Sequence, residues 1–263
     1  MGRDPLKMLP LLQADTESAP GFRGPKVRCS LCCLKEFCAP DELSRSDIDF
    51  LKTFVKKQEL RLRTGEQVYR QGDEFRALVA VHTGSFKLAV AAPDGTERVT
   101  GFTFAGDMMG LDGIDAGRHG DYAVALEQSG ACLLPWERIE EAAGRIPLVR
   151  RQVMRMLSRE IRRGEEMGLL LGRLPADARF AAFLLGLSAR FARRGFDGAR
   201  FRLPMSRPDI GSFLGLTAET VSRLFTRFRD RGLIRVRAKA LEIARPDTLR
   251  AIVGQKNLNR PEN

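Results

Sequence analysis

The chain has 263 residues, 43% of them hydrophobic and 29% charged, with a formal net charge of +11. That length is enough for two modest domains with cores of their own, and the composition is that of a globular protein, not a disordered or fibrous one. No run approaches the roughly 18 to 20 apolar residues of a membrane-spanning helix, and the opening stretch MGRDPLKMLPLLQ, broken by Pro10, lacks the apolar core and cleavage site of a secretion signal, so a cytoplasmic protein with no membrane partner is expected.

Charge is uneven along the chain. From Pro175 to the end Lys and Arg outnumber Asp and Glu 18 to 8, against 26 to 25 before that point. A basic last third is what a polyanionic partner requires, because neutralised phosphates supply most nonspecific nucleic-acid affinity.

Residues 1–27 are rich in Pro, Gly and charge without periodicity and predict a flexible N-terminal arm. The next stretch, RCSLCCLKEFC, holds four of the five cysteines, Cys29, Cys32, Cys33 and Cys38; the fifth, Cys132, is far downstream. In a reducing compartment such a cluster points to metal binding or redox chemistry ahead of structural disulfides. Four soft thiolates with no nearby His form a normal shell for an iron–sulfur cluster, and spacing alone leaves a structural zinc open. DELSRSDIDFLKTFV then reads as a short helix with Ser44 or Ser46 as its cap.

From about Arg61 to Trp136 short apolar runs (LVAVHTGSFKLAVAA, ERVTGFTFAGD, YAVALEQS, ACLLPW) alternate with Gly and Asp turns, the texture of a β-sandwich or barrel. From Ile146 to Leu171 the pattern lengthens into a single helix. Met154, Leu157, Ile161, Gly164, Gly168 and Leu171 recur by three and four, which is coiled-coil spacing and predicts a dimer seam. A second stripe of Val149, Val153, Met156 and Leu170 gives the helix another surface to bury, against its own β domain. GRLPADAR marks a hinge, after which ARFAAFLLGLSARFARRG opens a second domain.

MSRPDIGSFLGLTAETVSRLFTRFRDRGLI, residues 205–234, contains two short helices around a tight turn. Ser206 and Asp209 form a capping-box-like start with Pro208 in the first turn, Gly215 supplies the turn, and Thr217 caps a second helix that buries Val221, Leu224, Phe225 and Phe228. This is a helix-turn-helix. Glu219, Ser222 and Arg223 project together from the start of its second helix; Arg223 suits guanine O6 and N7, and Glu219 suits cytosine N4, so these three are expected at base edges. Thr220, Arg227 and Arg229 are expected at phosphates, and LIRVRAKALEIA reads as a two-stranded wing with Arg235, Arg237 and Lys239 near the DNA backbone. An enzyme is disfavoured: His82 and His119 have no evident catalytic partners and no phosphate-binding glycine loop appears.

A β-rich domain, a long helix and a winged helix-turn-helix in this order resemble the CRP/FNR superfamily of bacterial transcription regulators. The likeness runs from Cys29 to about Ile252. TAETVSRL resembles the recognition helix of the FNR branch, in which a Glu, a Ser and an Arg read a TTGAT half-site, and GFTFAGDMMGLDGI resembles that branch's β-roll signature. The resemblance implies an α+β chain: the arm over 1–27, the cysteine cluster and β-roll sensor domain over 28–145, a dimerisation helix over 146–172, the winged helix-turn-helix over 175–252 and a flexible tail over 253–263. It implies an oxygen-labile [4Fe-4S] cluster on Cys29, Cys32, Cys38 and Cys132, a homodimer on a palindromic operator in double-stranded DNA, control of the anaerobic response, and a contact with RNA polymerase at the turn around Gly95.

This chain departs from the family's pattern in two places. Cys33 stands where a small polar residue is usual, which opens Cys33 as a competing ligand, and Gly164 stands where an acidic residue is usual in the seam. Cyclic-nucleotide relatives hold a phosphate with an Arg-Ser or Arg-Thr pair; the corresponding stretch here has Arg118 and His119, so no cyclic nucleotide is expected. A zinc- or thiol-based redox regulator of the same architecture is the alternative.

Overall fold

Short apolar strands cannot bury their side chains singly, and here they do so as two antiparallel sheets. The computed structural model describes residues 58–254, in two compact units: residues up to Pro93 with Thr100–Val153, and Asp94–Val99 with Met154 onward. In the first unit β1 (Gln58–Leu62), β8 (Ser129–Pro135), β3 (Ala77–Thr83) and β6 (Met108–Met109) lie side by side in that order in one sheet. The second sheet has the order β2 (Gln67–Tyr69), β7 (Tyr122–Ala125), β4 (Ser85–Ala91) and β5 (Glu97–Phe104). Strands of both sheets bury Leu62, Val79, Val81, Leu133, Tyr69 and Phe86 in one core cluster. A one-turn helix α1 (Gly113–Ala116) interrupts the strands, and α2 (Trp136–Arg145) follows β8 directly and lies against β8 and β3. The α+β class read from the sequence holds, and the stretch expected to be a single helix does form one, α3 (Pro147–Arg173).

Along α3 the two apolar stripes behave differently. Val149 and Val153 are buried and Met156 and Leu170 half-buried. On the other stripe Met154 and Ile161 are 57% and 64% exposed, Leu157 and Leu171 are half-buried, and Gly164 and Gly168 are exposed with nothing within 4 Å of where a Cβ would be. Leu169, beside that stripe, is 56% exposed as well.

The second unit is built on aromatic rings. Phe180 of α4 (Ala176–Arg193) is fully buried edge-on against Phe225 and Phe228 of α6 (Ala218–Asp230), at centroid distances of 4.7 and 5.1 Å. Between them in sequence come β9 (Arg200–Arg202) and α5 (Arg207–Leu214), and after them β10 (Ile234–Arg237), β11 (Ala240–Ile243) and α7 (Pro246–Gly254). The expected two-stranded wing is three-stranded, because β9 adds to β11, with Phe201 opposite Leu241 and its ring stacked on Phe191 at 5.2 Å. One buried aromatic between two arginines is too short a pattern to announce a strand. The expectations for residues 1–57, including the arm, the short helix and the cysteine cluster, and for the tail beyond Gly254 lie outside the described residues. No described helix is long and apolar enough to cross a membrane.

Replacing Phe180 by Ala removes the ring on which α6 rests and is expected to cost about 3–5 kcal/mol. Thermal unfolding followed by near-ultraviolet circular dichroism measures it; a loss under about 1 kcal/mol would show that α6 is held by other contacts.

Candidate nucleic-acid interface and cysteine site

The helix-turn-helix is assembled by local hydrogen bonds that its sequence specifies. Ser206 Oγ accepts from the Asp209 N–H (3.2 Å) while the Asp209 carboxylate accepts from the Ser206 N–H (2.9 Å), a reciprocal box that starts α5 with Pro208 in its first turn. The helix stops at Gly215, whose φ of +63° is the left-handed conformation glycine adopts freely. The chain then folds back so tightly that the Leu216 N–H donates to the Gly211 carbonyl (2.8 Å), and a Cβ on Gly211 would stand 2.6 Å from the Leu216 oxygen. Thr217 Oγ1 accepts from the Thr220 N–H (3.1 Å) and starts α6.

One face of α6, Val221, Leu224, Phe225 and Phe228, is buried. Helical geometry therefore leaves Glu219, Ser222 and Arg223 outward, and all three are exposed. Arg223 forms an ion pair with Glu219, both side chains about three-quarters exposed (76% and 73%). Such a pair in water is worth little, so either partner can be exchanged for a base edge at small cost. Ser222 Oγ donates to the Ala218 carbonyl (2.9 Å).

The residues expected at phosphates are placed less freely. The Thr220 hydroxyl shares a 2.9 Å hydrogen bond with Thr217, Arg227 is paired with Asp177 of α4, and Arg229 Nε lies 3.1 Å from Asp230. In the wing, Glu242 of β11 accepts from Arg235 (2.8 Å) and lies 3.7 Å from Arg200. Arg207, which the sequence reading passed over, lays its guanidinium 3.3 Å from the centre of the Phe225 ring, and burial lowers its pKa from the ordinary arginine value. Gly95 sits exposed in the turn between β4 and β5 with φ +81°; the Asp94 carboxylate accepts from the Thr96 N–H (2.9 Å) and closes the turn.

Cys132 lies in the middle of β8, opposite Ala80 of β3 and Glu59 of β1, and is 7% exposed. Its strand neighbours Ala131 and Leu133 belong to the core cluster. Because side chains alternate along a strand, Cys132 shares the sheet's other face with Leu134, away from that core. Cys29, Cys32, Cys33 and Cys38 lie outside the described residues. Among the described residues no three His, Cys, Asp or Glu side chains gather closely enough to hold a metal ion.

His119 is the residue whose setting the sequence could not announce. It is 6% exposed, stacked on Tyr69 with centroids 3.8 Å apart, edged by Phe75, and its Nδ1 is 3.7 Å from Asp112 Oδ1. Tyr69 donates to Asp121 (3.0 Å), and Asp112 accepts from the N–H groups of Gly120 (2.6 Å) and Asp121 (3.2 Å). Burial first, then the charges of Asp121 and Asp112, hold the Tyr69 phenol well above its usual pKa. Burial also pushes the Asp112 carboxyl up, but the neighbouring His119 imidazole and the hydrogen bond from the Gly120 N–H outweigh it and leave the group below its usual value. The Arg118 guanidinium donates to the Gly72 carbonyl (3.0 Å).

A two-sheet β unit, a long helix and a winged helix-turn-helix with an open reading face define a DNA-binding regulator of the Crp type. Residues 178–252 match the Crp-like helix-turn-helix domain and residues 59–145 the cyclic nucleotide-binding domain. The chain is 39% identical over 231 residues to the fumarate and nitrate reduction regulatory protein of Salmonella typhi, covering 88% of this chain and 92% of that one, and 38% identical with the same coverage to its counterpart in Escherichia coli strain K12. Among solved structures it is similar to FixK2 from Bradyrhizobium japonicum, with a TM-score of 0.69 and 30% identity over 80% of this chain and 100% of that one. The chain belongs to the CRP/FNR family of DNA-binding transcription regulators.

Gly211 gives the sharpest test of the reading face. Gly211→Ala forces the turn off the α5 backbone and is expected to cost about 1–3 kcal/mol and to weaken DNA binding, both read from melting curves and fluorescence anisotropy on duplex DNA. Wild-type affinity and stability would mean that the turn yields without moving α6.

Proposed function

We propose that this regulator controls the anaerobic response through an oxygen-labile [4Fe-4S] cluster held by Cys29, Cys32, Cys38 and Cys132, and that the cluster-bearing chain pairs through α3 and binds a palindromic TTGAT-type operator. The observation that carries the reading is the position of Cys132. The Cys132 thiol is buried on the face of the β1–β8–β3–β6 sheet opposite the core cluster, where a segment packed over that face could bring its own sulfurs, and the remaining cysteines of the chain all fall within residues 29–38. Four thiolates are the donor set an iron–sulfur cluster takes, and such a group supplies a centre that oxygen degrades. The similarity to fumarate and nitrate reduction regulatory proteins over 88% of the chain supports the same assignment.

The chain's own residues would do the rest. Met154, Leu157, Ile161 and Leu171, with Gly164 and Gly168 permitting close approach, form the seam with a second copy, which accounts for apolar side chains standing exposed on α3. A two-fold pair sets two α6 helices one DNA turn, roughly 34 Å, apart on the operator. There Glu219, Ser222 and Arg223 read bases, while Thr220, Arg227 and Arg229 meet phosphates, the two arginines exchanging their carboxylate partners for them. The turn around Gly95 offers an exposed surface for RNA polymerase. A cyclic nucleotide is not the effector on this reading, since Asp112 lies beside the buried His119 imidazole and Asp121 accepts from the Tyr69 stacked on it, two carboxylates in a setting hostile to a phosphate.

Two substitutions test the two halves separately. Cys132→Ser is expected to abolish operator occupancy in anaerobic gel-shift assays and leave the chain monomeric in sedimentation; unchanged occupancy and pairing would overturn the sensing scheme. Arg223→Ala is expected to lose discrimination at one guanine per half-site by about 1–3 kcal/mol, whereas equal weakening on every duplex would mean that Arg223 touches only the DNA backbone.

A further inference from the structure

The first turn of α4 carries an arginine with no role in base reading, in phosphate contact or in the seam. Arg179, half-buried, donates from Nε to the Leu174 carbonyl (2.7 Å) and from Nη1 to the Leu214 carbonyl (3.1 Å). Leu174 is the residue that follows α3, and its N–H still bonds back to Leu170 of that helix. Leu214 is the last residue of α5, next to the turn that launches α6. A single planar guanidinium thus joins the end of the long helix to the turn of the DNA-reading motif.

The site is shaped for that side chain. Carbonyls in the last turn of a helix lack partners within it and carry the negative end of the helix dipole, so a cation there is favoured at both contacts. A Cβ at Gly215 would lie 3.4 Å from Arg179 Nη1 and 3.7 Å from Leu171 Cδ2, so the missing side chain leaves the space in which guanidinium and long helix meet the turn. Two residues earlier Asp177 is paired with Arg227 in the last turn of α6. Before DNA binds, the first turn of α4 therefore contacts both helices of the motif, and on the proposed reading only the Arg179 contact persists once Arg227 turns to a phosphate.

We infer that Arg179 is a positioning residue that sets the angle at which the recognition helix leaves the end of α3, so that the arrangement of α3 is passed to the reading face. This rests on α3 being the dimer helix. Lysine cannot replace it, because an ammonium lacks the fixed fork that reaches two carbonyls at once.

The test compares wild type, Arg179→Gln and Arg179→Lys as full-length anaerobic proteins, on an operator selected from random duplexes by the wild-type chain and on an unrelated duplex, with sedimentation run in parallel. The expected result for both variants is operator affinity weakened at least about tenfold, the scale of losing one charge-assisted hydrogen bond, with affinity for the unrelated duplex and the degree of pairing within about twofold of wild type. Equal weakening on both duplexes, or loss of the folded second unit in either variant, assigns Arg179 a merely structural role and overturns the inference, as do wild-type affinities. A wild-type chain that selects its operator as a monomer would instead contradict the dimer reading.

Discussion

The packing of Phe180 between Phe225 and Phe228 is the interaction on which DNA recognition depends. A helix can offer base edges only the side that its own protein leaves uncovered. By burying Val221, Leu224, Phe225 and Phe228, the α4 support fixes the rotation of α6 about its axis, and with it the outward direction of Glu219, Ser222 and Arg223. The turn that precedes α6 adds the second coordinate, because the fit of Leu216 on the bare backbone of Gly211 sets where the helix begins. Rotation and starting point together are what a recognition helix needs.

In the first unit the corresponding constraint is the alternation of a strand. Ala131 and Leu133 enter the β core and Cys132 is thereby turned to the opposite face of the sheet, which it shares with Leu134. On the proposed reading, ligands from residues 29–38 and from β8 close a loop of about a hundred residues. Metal–thiolate sites supply on the order of 10 kcal/mol, while driving a two-state equilibrium from 1:99 to 99:1 needs about 5.5. On the same reading, a seam containing Gly164 and Gly168, each costing a helix about 1 kcal/mol relative to Ala, would be weak enough to be governed by a change of that size.

Much of this was legible in the residues. The helix-turn-helix could be read because every element of it has a local chemical signature: Ser206 with Asp209, Pro208, Gly215, Thr217, and an apolar face at helical spacing. The long helix was equally plain from its two apolar stripes. What the sequence hid was long-range. Phe201 gives no sign that it adds a third strand to the wing, α2 follows a strand with no turn residue between them, and nothing around His119 announces that it stacks on Tyr69, fifty residues away. The ion pairs of Arg227 with Asp177 and of Glu219 with Arg223 show the same division: the second is readable as an i, i+4 pair, the first depends on how α4 meets α6.

The central claim, that sulfurs distant in the chain share one inorganic centre and thereby govern pairing on DNA, is tested most directly by purifying the intact protein without oxygen and measuring iron, acid-labile sulfide, subunit mass and operator occupancy on the same sample before and after admitting air. The account predicts a coloured dimer with about four iron and four sulfide per chain that occupies its operator and, once bleached by air, falls to monomers that do not. A colourless protein holding zinc, or a bleached one that stays paired on the operator, would contradict it.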